Sequence, residues 1–372
     1  MKILITGYKG FIGQNVCLEL KNRGYADLLL FDQGQSSKEL EKYLTEADCV
    51  FHLAGVNRPK DPKEFSQGNV DLTAHITEML AQLGKSIPIM HTSSVQASLD
   101  NPYGKSKKEG EEILLSYGEK MQAPVYVFRL PNVFGKWSRP NYNSVVSTFC
   151  HNIARGMDVE IHDENKTIEL VHIDDVVNAL IECLHGKIVP HEDERCYVKE
   201  VYPVQVGELA RRIKSFKDEI HSLQVPNQKD LLSKKLYATY LSYLPEDEFG
   251  YPLVTHEDHR GSFTEVLKQW EFGQISVNVI RPGITKGNHW HHTKNEKFLV
   301  VKGRGIIRFR DIREEKENII TYEVSDQKME VIQIPPGYTH NITNGGEEDM
   351  IVLMWASEAY DPDKPDTYFA EV

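Results

Sequence analysis

Paired cysteines, membrane-length apolar runs and an excess of positive charge are all missing from this sequence, and each absence removes a class of function. The five cysteines, Cys17, Cys49, Cys150, Cys183 and Cys196, are odd in number, scattered and without a CxxC pair. That usage reads as reduced thiols packed as small core residues in a cytosol, not as a disulfide framework. No apolar run approaches the roughly 20 residues that span a bilayer, so no membrane insertion is expected. Met1 is followed at once by a strand and a glycine turn, so no signal peptide is expected and the expected location is cytoplasmic. Lysine and arginine number 43 against 55 aspartates and glutamates, a formal net charge of -12. Nucleic-acid phosphates would be repelled by that charge, and no basic run offsets it.

What is present is an ordinary soluble composition, 26% charged and 40% hydrophobic, over 372 residues. That length exceeds what one core usually supports, so two domains are expected. The periodicity changes from helical to short β runs near the acidic, turn-rich stretch from Pro245 to Pro252. The expected modules are therefore residues 1–245 and 251–372.

The first module opens on Lys2 to Thr6, a β-rich run, followed by Gly7-Tyr8-Lys9-Gly10-Phe11-Ile12-Gly13 and a helical pattern through Asn22. Glycines between a strand and a helix let the backbone turn sharply and approach a pyrophosphate at the helix N-terminus. Gly7, Gly10, Phe11, Ile12 and Gly13 are thus candidate dinucleotide contacts. Leu28 to Phe31 is the next strand and ends at Asp32, about 20 residues beyond the glycines, where a carboxylate binds the adenosine ribose. A third strand reaches His52 and passes into Leu53 and Ala54 beside the same cofactor. Alternating strands and helices imply a Rossmann-type α/β domain, a doubly wound parallel sheet with its site at the strands' C-terminal ends.

Chemistry is expected where Asn101-Pro102-Tyr103-Gly104-Lys105-Ser106-Lys107 starts a helix, with Asn101 as N-cap and Pro102 at the first helical position. Tyr103 and Lys107 then share one helical face. An ammonium beside a phenol is expected to lower the tyrosine pKa and make it a general acid or base. Ser94, at the end of the strand Ile87 to Ser94, is placed to hold a carbonyl oxygen near Tyr103.

Taken in order, the glycine turn, His52-Leu53-Ala54, Asn69-Val70, Ser93-Ser94, Tyr103-x-x-x-Lys107 and Arg129-Leu130-Pro131-Asn132-Val133-Phe134-Gly135 resemble the extended short-chain dehydrogenase/reductases that act on nucleotide sugars. The resemblance covers residues 1 to about 185. It implies a nicotinamide cofactor, Tyr103 as proton donor, Lys107 on both the tyrosine and the nicotinamide ribose, and Ser94 on the substrate oxygen. Asn132 and the segment Val171 to Asp175 match segments near the substrate. A strand end, and a helix N-cap at Asp174, explain those two places equally well. Family likeness implies NADPH, whereas Asp32 would repel a 2′-phosphate and favour NADH; Lys9 can compensate.

Past residue 250, short β runs separated by turn residues indicate an antiparallel, all-β sandwich or barrel. It contains Gly283-x5-His289-Trp290-His291-x4-Glu296-x6-Gly303 and Pro335-Pro336-Gly337-Tyr338-Thr339-His340-x3-Asn344. His289 and His291 alternate along a strand and face the same way. With Glu296 and His340 they offer three imidazoles and a carboxylate, a set suited to a divalent ion such as Zn2+ with open positions for substrate. The spacing resembles both halves of the cupin (jelly-roll) motif, departing from it at Met329, where a glycine is usual. His292 falls on the opposite face and reads as a solvent-side residue.

Asp258-His259-Arg260-Gly261-Ser262-Phe263-Thr264-Glu265 further resembles the cupin-fold deoxysugar 3,5-epimerases, which implies Arg260 as a phosphate ligand and leaves open whether His289 is a base or a metal ligand. Both modules on one chain, joined through Leu236-Tyr237-x-x-Tyr240-Leu241, resemble the CapF-type bifunctional enzymes of capsular polysaccharide biosynthesis. That likeness implies a UDP-amino-sugar substrate, C3 epimerisation by the cupin, NAD(P)H-dependent reduction of a 4-keto group and a homodimer exchanging cupin strands. Two other readings fit the same residues: an epimerase or dehydratase that keeps NAD bound, and a nucleotide-sensing protein with a structural cupin.

Overall fold

The computed structural model describes residues 1–57, 61, 63–269, 271–313 and 318–372. Its first strands and helices alternate as β1 (Ile3–Thr6), α1 (Phe11–Asn22), β2 (Leu28–Phe31), α2 (Ser37–Glu46), β3 (Cys49–His52), α3 (Lys63–Ser66), α4 (Leu72–Gln82), β4 (Ile89–Ser94), α5 (Pro102–Met121) and β5 (Val125–Leu130). The five strands form one sheet in the order β2-β1-β3-β4-β5, every neighbouring pair parallel. Side chains on a strand alternate between faces, and here each face has its own core. Ile3 and Ile5 pack with Val16 and Leu20 of α1. Leu4 packs with Leu40 and Leu44 of α2 and Ile76 and Leu80 of α4. The sheet is therefore doubly wound, with helices on both faces. Its strand order reverses direction at β1, between β2 and β3, and such a switch point opens a crevice at the strands' C-terminal ends.

Asn101 caps α5 as expected, its Oδ1 accepting from the Gly104 N–H at 2.8 Å. The helix buries Lys107 and Glu111, one turn apart on one face. Glu111 is fully buried, and its carboxylate accepts from Ser93 Oγ (2.5 Å), Arg129 Nη2 (2.7 Å) and Arg195 Nε (3.2 Å). One carboxylate thereby joins α5 to β4, β5 and the segment around Arg195.

Two expectations shift in the remainder of this unit. The helix Ile173–Glu182 is capped by His172, not Asp174: His172 has extended backbone and its Nδ1 accepts from the Asp174 N–H at 3.3 Å. Asp174 thus lies inside the first turn, where its carboxylate pairs with Lys136 at 2.9 Å. The helix Val206–His221 leads out of the first compact unit, Met1–Ser215 with Asn227–Pro245, so the segment Phe216–Pro226 groups with Glu246–Val372 and not with residues 1–245. The reason is local: Leu223 O and Val225 O accept from Lys268 N (2.8 Å) and Gln269 Nε2 (2.5 Å) on a strand of the second unit.

That second unit is antiparallel throughout its two sheets. One runs Val331–Ile334, Glu296–Lys302, Met350–Ala356, Gly273–Ile280, Gly261–Gln269, Thr255–Asp258, and the other Ile320–Ser325, Arg304–Asp311, Tyr338–Asn344, Thr285–Trp290, Tyr368–Phe369. Ile280, Phe298, Val300, Ile307, Phe309, Ile334, Ile342 and Val352 form its core between the sheets. Met329 is exposed, and the hairpin still closes through the bridge between Ser325 and Lys328. Glu111→Ala leaves Arg129 and Arg195 without their buried counter-charge, and we expect a loss of about 3–5 kcal/mol in urea unfolding, whereas exposed Glu112→Ala should change stability by less than about 0.5 kcal/mol.

Candidate functional site

A cavity of about 770 Å³ sits at the C-terminal edge of the parallel sheet, lined by the glycine turn, the ends of β3 to β5 and the loop from Trp137 to Ser144. Among the described residues its lining includes the cations Lys9, Lys107 and Arg139 and no carboxylate. In a chain of net charge -12, such a concentration of positive charge favours an anionic ligand. The glycine turn is shaped for close approach: Gly7 has φ +73°, and a Cβ there would lie 2.7 Å from the Ala54 backbone. At Gly13 a Cβ would lie 2.2 Å from Gly7 O. Gly10 is the N-cap of α1 and has no side chain to cap it, so the first-turn N–H groups face the cavity beside Phe11 and Ile12. This cradle fits the pyrophosphate of a dinucleotide. Asp32 accepts from the Lys9 and Gln33 N–H groups, each at 2.8 Å, fixing the turn from the side. Leu53 lines the cavity, while Ala54 donates its N–H to Thr6 Oγ1 behind it.

Ser94, Tyr103 and Lys107 come together in this cavity. The electrostatics differ from expectation. Burial pushes the Tyr103 phenol up from its ordinary value, and a hydrogen bond with the Ser94 hydroxyl only partly offsets it. Lys107 is 5% exposed, and its ammonium donates to Thr92 O at 2.8 Å. Burial brings its pKa down to about 8, with Glu111 opposing the fall. The ammonium is therefore committed to the sheet and to Glu111, and the phenol keeps its proton at neutral pH. Sequence reasoning missed Glu111, although its place four residues after Lys107 was a usable signal. Asn132 also lines the cavity, its side-chain amide donating to Glu169 O at 3.0 Å. Arg139 and Trp137, the latter with φ +70°, carried no motif and went unread.

In the β unit, His289, His291, Glu296 and His340 bring one donor atom each to within 4.8 Å of one another. Glu296 Oε2 lies 3.6 Å from His291 Nε2 and 3.4 Å from His340 Nε2, long for hydrogen bonds. These three buried atoms have no hydrogen-bond partner, an arrangement that is costly without something between them. His289 is held neutral, its pKa pushed down to about 4 by burial and then by His340. Three imidazoles and one carboxylate, aimed at a common point, fit a divalent cation. Arg260 is not part of this cluster: its guanidinium is paired with Asp258 at 2.6 and 2.9 Å on an exposed hairpin. His292 is exposed and meets the Trp290 ring edge to face.

Residues 3–191 match the model of the NAD dependent epimerase/dehydratase family, and residues 256–368 that of the polysaccharide biosynthesis C-terminal domain. The UDP-2-acetamido-2,6-beta-L-arabino-hexul-4-ose reductase of Pseudomonas aeruginosa is 45% identical over 100% of this chain and 99% of its own. The crystal structure of the capsular polysaccharide assembling protein CapF from Staphylococcus aureus superposes over 100% of both chains, with a TM-score of 0.94 and 47% identity. The chain belongs to the CapF-type family. It is accordingly a nicotinamide-dependent oxidoreductase of nucleotide-sugar biosynthesis, built as a Rossmann-type module followed by an all-β module. A further CapF structure, described with the inhibitor 3-isopropenyl-tropolone, aligns over 100% of both chains with a TM-score of 0.89 and 42% identity. Among the described residues of this family member no helix is long and apolar enough to cross a membrane.

Lys107 gives the site a pH signature with two opposite signs. Dinucleotide affinity, read by fluorescence titration, should fall above about pH 8 as the folded lysine loses its proton. Between that value and the ordinary 10.5 the unfolded chain binds more protons, so this group's contribution to stability rises with pH over the same window. Lys107→Met should remove the alkaline decline in affinity.

Proposed function

We propose that the N-terminal module reduces the C4 ketone of a UDP-2-acetamido-2,6-dideoxy-4-keto-hexose, and that the β module, a cupin, first epimerises the same sugar at C3, towards UDP-N-acetyl-L-fucosamine. The observation that carries the reading is the buried, protonated Tyr103 hydrogen-bonded to Ser94 in a cationic cavity behind a dinucleotide-shaped glycine turn. The Pseudomonas relative's name, a reductase of a UDP-hexul-4-ose, supports the substrate class. Reduced nicotinamide, NADPH or NADH, supplies the hydride when bound. Ser94 and Tyr103 orient the carbonyl oxygen, and Tyr103 donates its proton to that oxygen as it gains charge. Lys107 holds the ribose and, through its charge, favours the transient phenolate. Asp32, already tied to the Lys9 N–H, sets a negative charge at the ribose edge and favours NADH over a 2′-phosphorylated dinucleotide.

In the cupin, a C4 carbonyl acidifies the neighbouring C3–H, so one ketone serves both modules. A divalent ion such as Zn2+ would supply Lewis-acid stabilisation of the C4 oxygen. His289, His291, Glu296 and His340 would hold it. The family relative described with a tropolone inhibitor supports this, because a tropolone carries a vicinal hydroxy-ketone that chelates divalent metals.

Tyr103→Phe should lower the rate of dinucleotide oxidation by the 4-keto sugar by about 10²–10⁴-fold without loss of dinucleotide affinity; an unchanged rate rules out Tyr103 as the acid. His289→Ala removes a ligand or the base, and it should abolish solvent-deuterium exchange at C3. Reduction of an already epimerised substrate should stay within a few-fold of wild type. A folded, metal-free His289→Ala protein that still exchanges at the wild-type rate would make the cupin structural and end the bifunctional reading.

A further inference from the structure

Two of the residues that would hold the metal, His289 and His291, are contacted by the segment Asp366–Ala370. His291 follows the strand Thr285–Trp290 and begins the turn that leads to Glu296. Its Nδ1 lies 2.5 Å from the backbone carbonyl of Asp366. A carbonyl oxygen only accepts, so Nδ1 carries a proton there and Nε2 is the ring nitrogen turned towards Glu296 and His340. The Asp366 carboxylate is engaged as well. Oδ1 accepts from the His292 N–H at 2.8 Å, and Oδ2 accepts from the Thr293 N–H at 2.8 Å, the Lys294 N–H at 2.9 Å and the Thr293 hydroxyl at 3.1 Å. One side chain therefore gathers three successive N–H groups of the turn between two of the candidate ligands.

The neighbouring tail residues are stitched to the strands that carry the other histidines. Phe369 and Tyr368 pair with His289 and Trp290, and the Ala370 N–H donates to Asn288 O at 3.0 Å. Thr339, beside His340, donates its hydroxyl to Ala370 O. Arg310 Nη2 donates to Glu371 O at 2.6 Å. More than 70 residues separate Asp366 from the turn it organises, so sequence spacing gives no hint of the connection.

We propose that Asp366 is a positioning residue of the cupin metal centre: its carboxylate fixes the turn that sets His291 against Glu296, and in doing so holds the Asp366 carbonyl in place on His291 Nδ1. This rests on the metal reading above and adds to it a residue outside both halves of the histidine motif. Partners behind metal ligands typically contribute about 10–100-fold to affinity when they are removed.

The test uses the full-length chain and reads zinc affinity by competition with a chromophoric chelator, together with the ligand-field absorption of the cobalt(II)-loaded protein. Asp366→Ala should weaken zinc binding by about 10–100-fold and alter the cobalt spectrum, which a merely structural role in a distant tail would leave alone. Asp366→Asn keeps an oxygen acceptor and should recover part of the affinity. Thr293→Ala, which removes one hydrogen bond of the turn, should cost only a few-fold, giving a graded series even where the alanine variant folds poorly. Wild-type zinc affinity and an unchanged cobalt spectrum in Asp366→Asn and in a folded Asp366→Ala would overturn the proposal. A wild-type chain that binds neither zinc nor cobalt would overturn the metal reading itself, a result distinguishable from the first.

Discussion

A buried ammonium is the constraint around which the first unit is arranged. Lys107 sits 5% exposed at the edge of a parallel sheet, where an unpaired charge is costly. Three features keep it there as a cation near neutral pH: the Thr92 carbonyl that accepts its hydrogen bond, Glu111 one turn further along α5, and the cap at Asn101 that fixes the register of both. Glu111 in turn is held by Ser93, Arg129 and Arg195, so the charge balance extends across two strands. Among the described residues the cavity side is then left with positive charge and no carboxylate, which suits a ligand carrying pyrophosphates.

The same constraint explains why Tyr103 is not the depressed phenol expected from its spacing to Lys107. Desolvation acts on both groups, raising the phenol and lowering the ammonium. For a reductase this is the useful direction, because the group must give a proton up. The second unit meets the opposite problem. His289 is held neutral by burial, and the cluster gathers three imidazoles around one carboxylate. Lys294 pairs with Glu296 Oε1 at 3.4 Å, and the atoms left without a partner, Glu296 Oε2 and the Nε2 atoms of His291 and His340, suit a divalent cation.

Much of this was legible in the linear order of residues. The glycine turn, the Asn101-Pro102 helix start and the alternation at His289 and His291 are local signals, each set by backbone geometry within a few residues. Gly7, Ser94, Tyr103 and Lys107 do meet in one cavity, and the four metal candidates do converge. What escaped the sequence is what depends on distant partners. Glu111 is explained by Arg195, Asp366 by a turn near His292, and Arg260 by its pairing with Asp258 on an exposed hairpin. His172 displaced Asp174 as a helix cap because the backbone of the strand before it, not the residue type, decides which side chain reaches the first turn. The segment around Leu223 likewise follows its hydrogen bonds to the β unit and not its helical pattern.

The central claim is that one ketone is used twice, for proton exchange at C3 and then for hydride capture at C4. The most direct measurement is the fate of the wild-type chain's product made in D2O with reduced dinucleotide and the UDP-4-keto sugar, analysed by NMR and by dinucleotide oxidised per product. The account predicts deuterium at C3 and one dinucleotide oxidised for each sugar reduced. Product carrying protium at C3, or product formed with no net oxidation of dinucleotide, would contradict it.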